Sequence, residues 1–430
     1  MCGKTIKKAF NRFAIEQFFI PSSVEIRAER AAYVFFIIML AFSQISIAGT
    51  QIALSFCILF FLIYWQHERP RLPGSGSEAP YAALILILLV ASILSARPWT
   101  SLFNLRKLGL IVMLYLTLWL INSRPRLLTA HIVLLFSLAA MSLFEIIRSG
   151  LADSRLRWAT HGITVTYGVV IMMSLLMLLS VRSALRPLLH ACGLPKLFLE
   201  KYYFALLLLV IIIAFVLAGV RSAFVGFAAG LFCLAILKER RLLLYFMLVV
   251  AFAFILGPPN LQERLAAIFK VRGDLSNEGR VLLWQTGWRI FLAKPWLGWG
   301  WRDLVVVYPD FAPAGADLTK HPFHIGHVHN NFLQMAIIAG AFGLAAFIWL
   351  LFVIGRKLYL VFRQLSNSYL RDTALGAFCA FVGYLVASQF DWSFGDEEIT
   401  MALWLIVGLG FAAERLAKTE QQDCDLVLGT

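Results

Sequence analysis

Long uninterrupted apolar blocks restrict this chain's fold more than any other feature of its sequence. About 20 consecutive apolar residues make a helix that crosses a hydrocarbon core of roughly 30 Å. Within such a core only helices and closed barrels satisfy their own backbone polar groups. A barrel strand would run about 10 residues with alternating polarity, and these blocks do not alternate. They fall at roughly 31–49, 51–65, 80–96, 108–121, 130–147, 163–180, 203–219, 222–237, 242–257, 331–355, 374–390 and 399–413. Composition agrees: 60% of the 430 residues are hydrophobic and only 14% charged, where soluble domains carry roughly 25% charge. An ordinary soluble enzyme, a disordered chain and a disulfide scaffold are excluded. The expected fold is all-α: one integral membrane domain over residues 1–430 with about twelve transmembrane helices.

The formal net charge of +14 would suggest nucleic acid in a soluble protein. In a membrane chain it first reports orientation, because cytoplasmic loops collect Lys and Arg. With the N-terminus inside, the inside segments hold 23 basic residues and the outside segments 15, of which 8 lie in one long loop. Long loops count little toward orientation, so both termini are expected in the cytoplasm, and no nucleic-acid partner is expected. That long outer loop, residues 258–330, separates the ninth and tenth spans. Gly257-Pro258-Pro259 opens it and ends a helix, since proline lacks an amide donor. Amphipathic helices are expected over Leu261–Phe269 and Val281–Leu292, lying at the interface. Trp284, Trp288, Trp296, Trp299 and Trp301 cluster there, which suits headgroup depth. None of the six cysteines falls in this loop, so no disulfide framework is expected. The basic N-terminus does not resemble a cleavable signal, and Cys2 lacks the preceding apolar stretch of a lipoprotein.

Three groups of residues carry candidate chemistry. Arg221 sits between two spans with only Gly219 and Val220 as a turn. It reads either as a snorkelling turn arginine or as an anion ligand at the outer face. Ser222 beside it is a candidate helix cap. Arg280, at the start of an amphipathic stretch, would complete a two-pronged clamp for a pyrophosphate, with Arg289 and Arg302 as competitors. The third group is His321, His324, His327 and His329, four histidines in nine residues. Their spacing fits no structural-zinc pattern, and no cysteine or clustered carboxylate completes a ligand set. No metal site is expected. A general base is the better reading, because imidazole titrates near neutral pH. His329 is best placed for it, anchored through Asn330 to the span that follows.

His329-Asn330 followed by Gly340-Ala341-Phe342-Gly343 resembles the signature of the O-antigen ligase and polymerase superfamily. So does Lys294-Pro295-Trp296-Leu297-Gly298-Trp299-Gly300. The order of Arg221-Ser222, Arg280, Trp284 and the histidine, and the long outer loop, are similar as well. The motifs cover about residues 200–350 and the topology covers the whole chain.

The resemblance implies a polytopic GT-C-like glycosyltransferase of the bacterial inner membrane with a periplasmic active site. It implies transfer of a glycan from undecaprenyl pyrophosphate to an acceptor, which for a ligase is lipid A–core oligosaccharide. No metal or nucleotide cofactor is implied, and a single in-line displacement of the pyrophosphate is expected to invert the anomeric centre. The family's basic clamp and essential histidine carry over to Arg221, Arg280 and His329. Its acidic residue before the last span carries over to Asp391, and Asn330 stands as a supporting residue. The signature does not separate ligases from O-antigen polymerases or protein O-oligosaccharyltransferases. A transporter is the non-enzymatic alternative. Transporters place ionisable groups at midplane, whereas these spans carry few, Glu145 being a possible exception near the end of a span.

Overall fold

The structure is a computed structural model that describes residues 24–70, 73–151, 164–191, 202–256, 274–301, 304–314 and 326–428, with single positions at 259, 262, 266 and 316. Among the described residues every regular element is helical. In chain order these are α1 (Val24–Phe42), α2 (Ile47–Glu68), α3 (Glu78–Ile93), α4 (Pro98–Asn104) and, after a 3-10 turn, α5 (Val112–Leu120). Then come α6 (Arg124–Leu151), α7 (Thr164–Ala191), α8 (Tyr203–Ala218), α9 (Arg221–Leu237) and α10 (Arg241–Leu256). The last are α11 (Leu275–Ala293), the short α12 (Tyr308–Phe311), α13 (Asn331–Gln364), α14 (Ser368–Ala387) and α15 (Glu397–Leu428).

Among the described residues, seven helical stretches are long and apolar enough to cross a membrane: Ile47–Glu68, Pro98–Leu120, Arg124–Ile147, Val165–Leu185, Asn331–Gln364, Ser368–Ala387 and Glu397–Gln422. α3, α8, α9 and α10 are apolar but shorter. Large apolar side chains stand exposed around the outside, among them Leu86, Ile236 and Phe252. Such a surface would aggregate in water and matches a lipid solvent.

Two sequence expectations move. The first turn was expected near residue 50 but lies at 43–46, where the Ser46 side chain caps α2 by accepting from the Gly49 amide. Gly49 is therefore inside the helix, its α-carbon against the Phe42 ring. The loop helix expected over Val281–Leu292 begins earlier, at Leu275, because Asp274 caps it by accepting from the Asn277 amide at 2.9 Å. Gly257, Pro258 and most of Leu261–Phe269 lie outside the described residues.

The centre of the bundle is built on close backbone approach. α9 packs on α14, and α14 on α7, α13 and α15. A side chain at Gly226 would meet the Gly383 carbonyl at 2.5 Å, and one at Gly230 the Cys379 carbonyl at 2.6 Å. Gly226 and Gly230 are one small-xxx-small step, the spacing by which membrane helices gain packing without a hydrophobic driving force. This contact fixes the start of α9 against the end of α14. The opposite end of the bundle is closed by ion pairs, Lys238–Asp372 at 2.6 Å, Arg126–Glu29 at 2.5 Å and Lys357–Glu414 at 3.4 Å.

α13 breaks at Gly340, which has φ 65° and ψ −163°. A break inside an apolar layer strands backbone donors and acceptors that water cannot reach. The segment Lys294–Gly300 supplies partners for them. Trp299 and Gly300 donate their amides to the Ile337 and Ile338 carbonyls, each at 2.9 Å. The Ala341 amide donates to the Pro295 carbonyl at 2.7 Å. Side chains cannot fit at this crossing: a Cβ on Gly340 would lie 2.2 Å from the Trp296 carbonyl atoms, and one on Gly298 2.5 Å from the Ile337 oxygen. The two glycine motifs of the sequence are thus two halves of one backbone joint.

Gly340→Ala is expected to cost at least the ~1–3 kcal/mol of a strained backbone position, with the steric clash added to it. Gly109→Ala, whose Cβ would meet nothing within 4 Å, is expected to stay within about 0.5 kcal/mol of wild type. Thermal unfolding in detergent measures both, and equal stabilities would remove the joint's structural importance.

Candidate active site

One end of the bundle collects charged side chains from four elements. The two-residue turn Gly219-Val220, with Gly219 left-handed at φ 63°, starts α9 directly at Arg221. Because the helix starts there, Ser222 is not its cap as expected: Val220 holds that position without a side-chain bond. Arg221 Nη1 pairs with Asp274 Oδ1 at 3.1 Å. Asp274 therefore caps α11 and meets Arg221 with the same carboxylate. One turn and a half along α11, Arg280 donates from Nε to the Phe390 carbonyl at 3.2 Å and from Nη1 to Ser276 Oγ at 2.9 Å. Burial lowers the Arg280 pKa, and the Arg221 charge lowers it further; Asp391 and Asp274 act against both. An arginine so lowered still stays cationic.

Phe390 precedes Asp391, and Asp391 reaches the histidine. Its Oδ1 lies 3.1 Å from His329 Nδ1 and accepts the Trp392 amide at 2.9 Å. Burial pushes the Asp391 carboxyl upward, but the His329 hydrogen bond, the His329 and His327 charges and the Trp392 amide outweigh it. Its pKa is held below the ordinary value, so Asp391 is a fixed anion at neutral pH. A depressed carboxyl contributes stability in full above its unfolded pKa of about 3.9, and that contribution is lost only as pH falls through the lower folded value. An ionised carboxylate only accepts, so the proton of this hydrogen bond sits on Nδ1 and leaves Nε2 as the basic nitrogen.

His329 takes a left-handed φ of 49°, rare for a residue with a side chain. Its neighbours impose this. Asn330 caps α13 by accepting from the Phe332 and Leu333 amides, both at 2.9 Å, and donates to the Gln389 carbonyl at 3.0 Å. On the other side Val328 donates its amide to Gln334 Oε1 at 2.9 Å, and its carbonyl accepts from Trp284 Nε1 at 2.9 Å. Asn330 thereby holds the backbone that follows His329. His327 packs edge-on against His329, with ring centroids 4.2 Å apart.

The remaining candidates separate. Arg289 is exposed on α11, while Arg302, His321 and His324 lie outside the described residues. The tryptophans divide as well. Trp288 and Trp296 are exposed, but Trp301 is buried and Trp284 and Trp299 spend their indole N–H on backbone carbonyls. Sequence reasoning missed Asp274 as a member of this cluster and named His327 only within the group of four histidines, without a role. Asp274 was signalled by its place before an amphipathic run, as a helix cap.

Beginning one turn below Arg221, a cavity of about 600 Å³ runs between α7, α8, α9 and α10. Its walls are almost wholly apolar and include Leu175, Phe215, Phe224, Leu231, Phe246 and Phe254.

Residues 205–348 match the family described as O-antigen ligase. That stretch contains Arg221, Arg280, His329 and the Gly340 joint, and it ends before Asp391. The chain is thus similar to O-antigen ligases over about a third of its length, within an all-helical set of described residues that holds several helices long and apolar enough to cross a membrane. No curated protein matches the chain.

If the two arginines hold an anion, inorganic pyrophosphate raises the unfolding temperature of the wild type. At a hundred times its Kd the gain is about 2.7 kcal/mol. Arg221→Gln and Arg280→Gln are each expected to remove most of that gain; an undiminished shift in both would put the anion elsewhere.

Proposed function

We propose that the protein is an O-antigen ligase that moves a glycan from undecaprenyl pyrophosphate to lipid A–core oligosaccharide. The reaction takes place at the periplasmic face of the inner membrane. The observation that carries this reading is the continuity of the charged cluster: Arg221 and Arg280 share Asp274 as a neighbour, and Arg280 meets the residue next to Asp391, which holds His329. In this reading a phosphate-binding element and a general base stand side by side. The apolar cavity below Arg221 suits a polyprenyl tail whose pyrophosphate sits at the arginines.

The chemistry follows from the roles. The acceptor hydroxyl attacks the anomeric carbon from the face opposite the pyrophosphate. Its proton passes to His329 Nε2 as the new C–O bond forms. The bond from the anomeric carbon to the pyrophosphate oxygen breaks, and undecaprenyl pyrophosphate leaves with the electron pair. A single displacement inverts the centre. The leaving group is already good, so fixed positive charge on Arg221 and Arg280 replaces a general acid. Asp391 orients the imidazole and stabilises the imidazolium, the same logic as in acid–histidine pairs of other enzymes. No step calls for a metal or a nucleotide.

The topology that goes with this is twelve spans in a GT-C-like arrangement, one domain over 1–430, both termini cytoplasmic and residues 258–330 as the periplasmic loop. The ion-paired end would then face the cytoplasm.

Purified protein with undecaprenyl-pyrophosphate glycan and rough lipopolysaccharide is expected to form product regardless of chelator. His329→Ala is expected to lower the rate about 10²–10⁴-fold at nearly unchanged donor binding. Full activity of that variant would sink the mechanism. Transfer only to a second lipid-linked glycan, or to Ser/Thr of a protein, would instead identify a polymerase or a protein O-oligosaccharyltransferase.

A further inference from the structure

The sequence lacked a carboxylate to complete a metal site around its histidines. The fold supplies one from 62 residues away, since His329 Nδ1 meets Asp391 Oδ1. One ligand atom each from His327, His329 and Asp391 lie within 4.8 Å of one another. We infer that these three side chains form a binding site for a divalent transition ion of the zinc class, and that the ion and the basic role of His329 exclude each other.

The donor set is the first argument. Two imidazoles and one carboxylate suit zinc and its neighbours, while calcium and magnesium prefer oxygen alone. Geometry is the second. Ligands about 2.0–2.1 Å from a tetrahedral ion stand roughly 3.3 Å apart, and the His329–Asp391 pair is already at 3.1 Å. Only His327 must close the remaining gap. Its turn is tied down on both sides, by the Leu304 amide donating to the Gly326 carbonyl at 3.1 Å and by the Val328 amide on Gln334. Rotation of the His327 ring closes the gap, exchanging the bond in which its Nδ1 accepts the His329 amide at 3.4 Å for the ion. Three protein ligands leave a fourth position open, which water takes in zinc sites of that kind.

The consequence for His329 is a tautomer change. An ion on Nδ1 takes the place of the proton there, and in the neutral ring that proton moves to Nε2. Nε2 then donates and cannot accept the acceptor's proton. For this consequence alone the inference rests on the proposed transfer reaction; the binding site stands on geometry.

The full-length protein in detergent is titrated with Zn²⁺ by calorimetry and with Co²⁺ as an optical probe of coordination. One site per chain is expected, with a four- or five-coordinate Co²⁺ spectrum. His327→Gln is expected to weaken binding at least about tenfold, while the double variant His321→Gln/His324→Gln leaves it unchanged. A wild type that binds no ion overturns the site, as does binding unaffected by His327→Gln or abolished by the double variant. Zn²⁺ is also expected to stop glycan transfer reversibly, with a chelator restoring it. Undiminished transfer at saturating Zn²⁺ overturns the exclusion. Protein that binds Zn²⁺ but transfers no glycan even after chelation supports the site and faults the function proposed above.

Discussion

The Gly340 joint is the constraint on which the rest of the site depends. A helix in an apolar layer has no spare hydrogen-bonding capacity, so a break in it persists only if another segment supplies partners. Lys294–Gly300 does so through backbone atoms alone. That segment is the direct continuation of α11, which carries Arg280, and the helix it enters is the one His329 precedes. The joint therefore sets the distance between Arg280 and His329. Polar side chains nearby then fix orientation rather than position: Trp284 and Trp299 pin the loop to backbone carbonyls, and Asn330 and Gln334 shape the turn around His329. A small satellite core of Ile290, Leu304, Val307, Val328 and Ile337 fills the space between α11 and α13.

The second requirement is that like charges be held together. Arg280 is lowered both by burial and by Arg221, an arrangement unfavourable on its own. Asp274 and Asp391 offset it. Both carboxylates have other duties as well, one capping α11 and one orienting His329. Coupling the acids to backbone and imidazole keeps them from collapsing fully onto the guanidinium groups. On the proposed reading, Arg221 exchanges its partner Asp274 for an anion with more charge and better geometry.

Much of this was legible in the sequence, though unevenly. The apolar blocks located the helices because length and hydropathy are local properties. Boundaries shifted where a single cap decided them, as with Ser46 and Asp274. Arg221, Arg280 and His329 stood out because a charge beside an apolar span is costly and so conspicuous. Asp391 came only through family resemblance, since nothing in Gln389–Ser393 alone distinguishes it from a solvated acid. What could not be read was the meeting of distant segments. The glycines of Lys294–Gly300 and of Gly340–Gly343 gave no sign of being two sides of one crossing. The separation of His329 from Asp391 in sequence likewise hid the carboxylate that joins the histidines.

On the proposed reading, the same arrangement explains why clamp and base share one connected cluster. Transfer creates two charges at once: a positive imidazolium where the proton lands, and added negative charge on the departing pyrophosphate. Each develops beside a fixed opposite charge, Asp391 for the first and the two arginines for the second. Neither requires water to reorganise, and fixed dipoles and charges that need no reorganisation are where most electrostatic catalysis arises. Asp391 must then be ionised before the reaction starts, or it would offer the imidazolium nothing. Its depressed pKa secures that condition. Arg280 bridges the halves, bonded to the carbonyl that precedes Asp391 while lying beside Arg221. Any shift of Phe390–Asp391 would therefore move the clamp and the base together, which preserves their relative geometry through small motions of α14 and the turn that follows it.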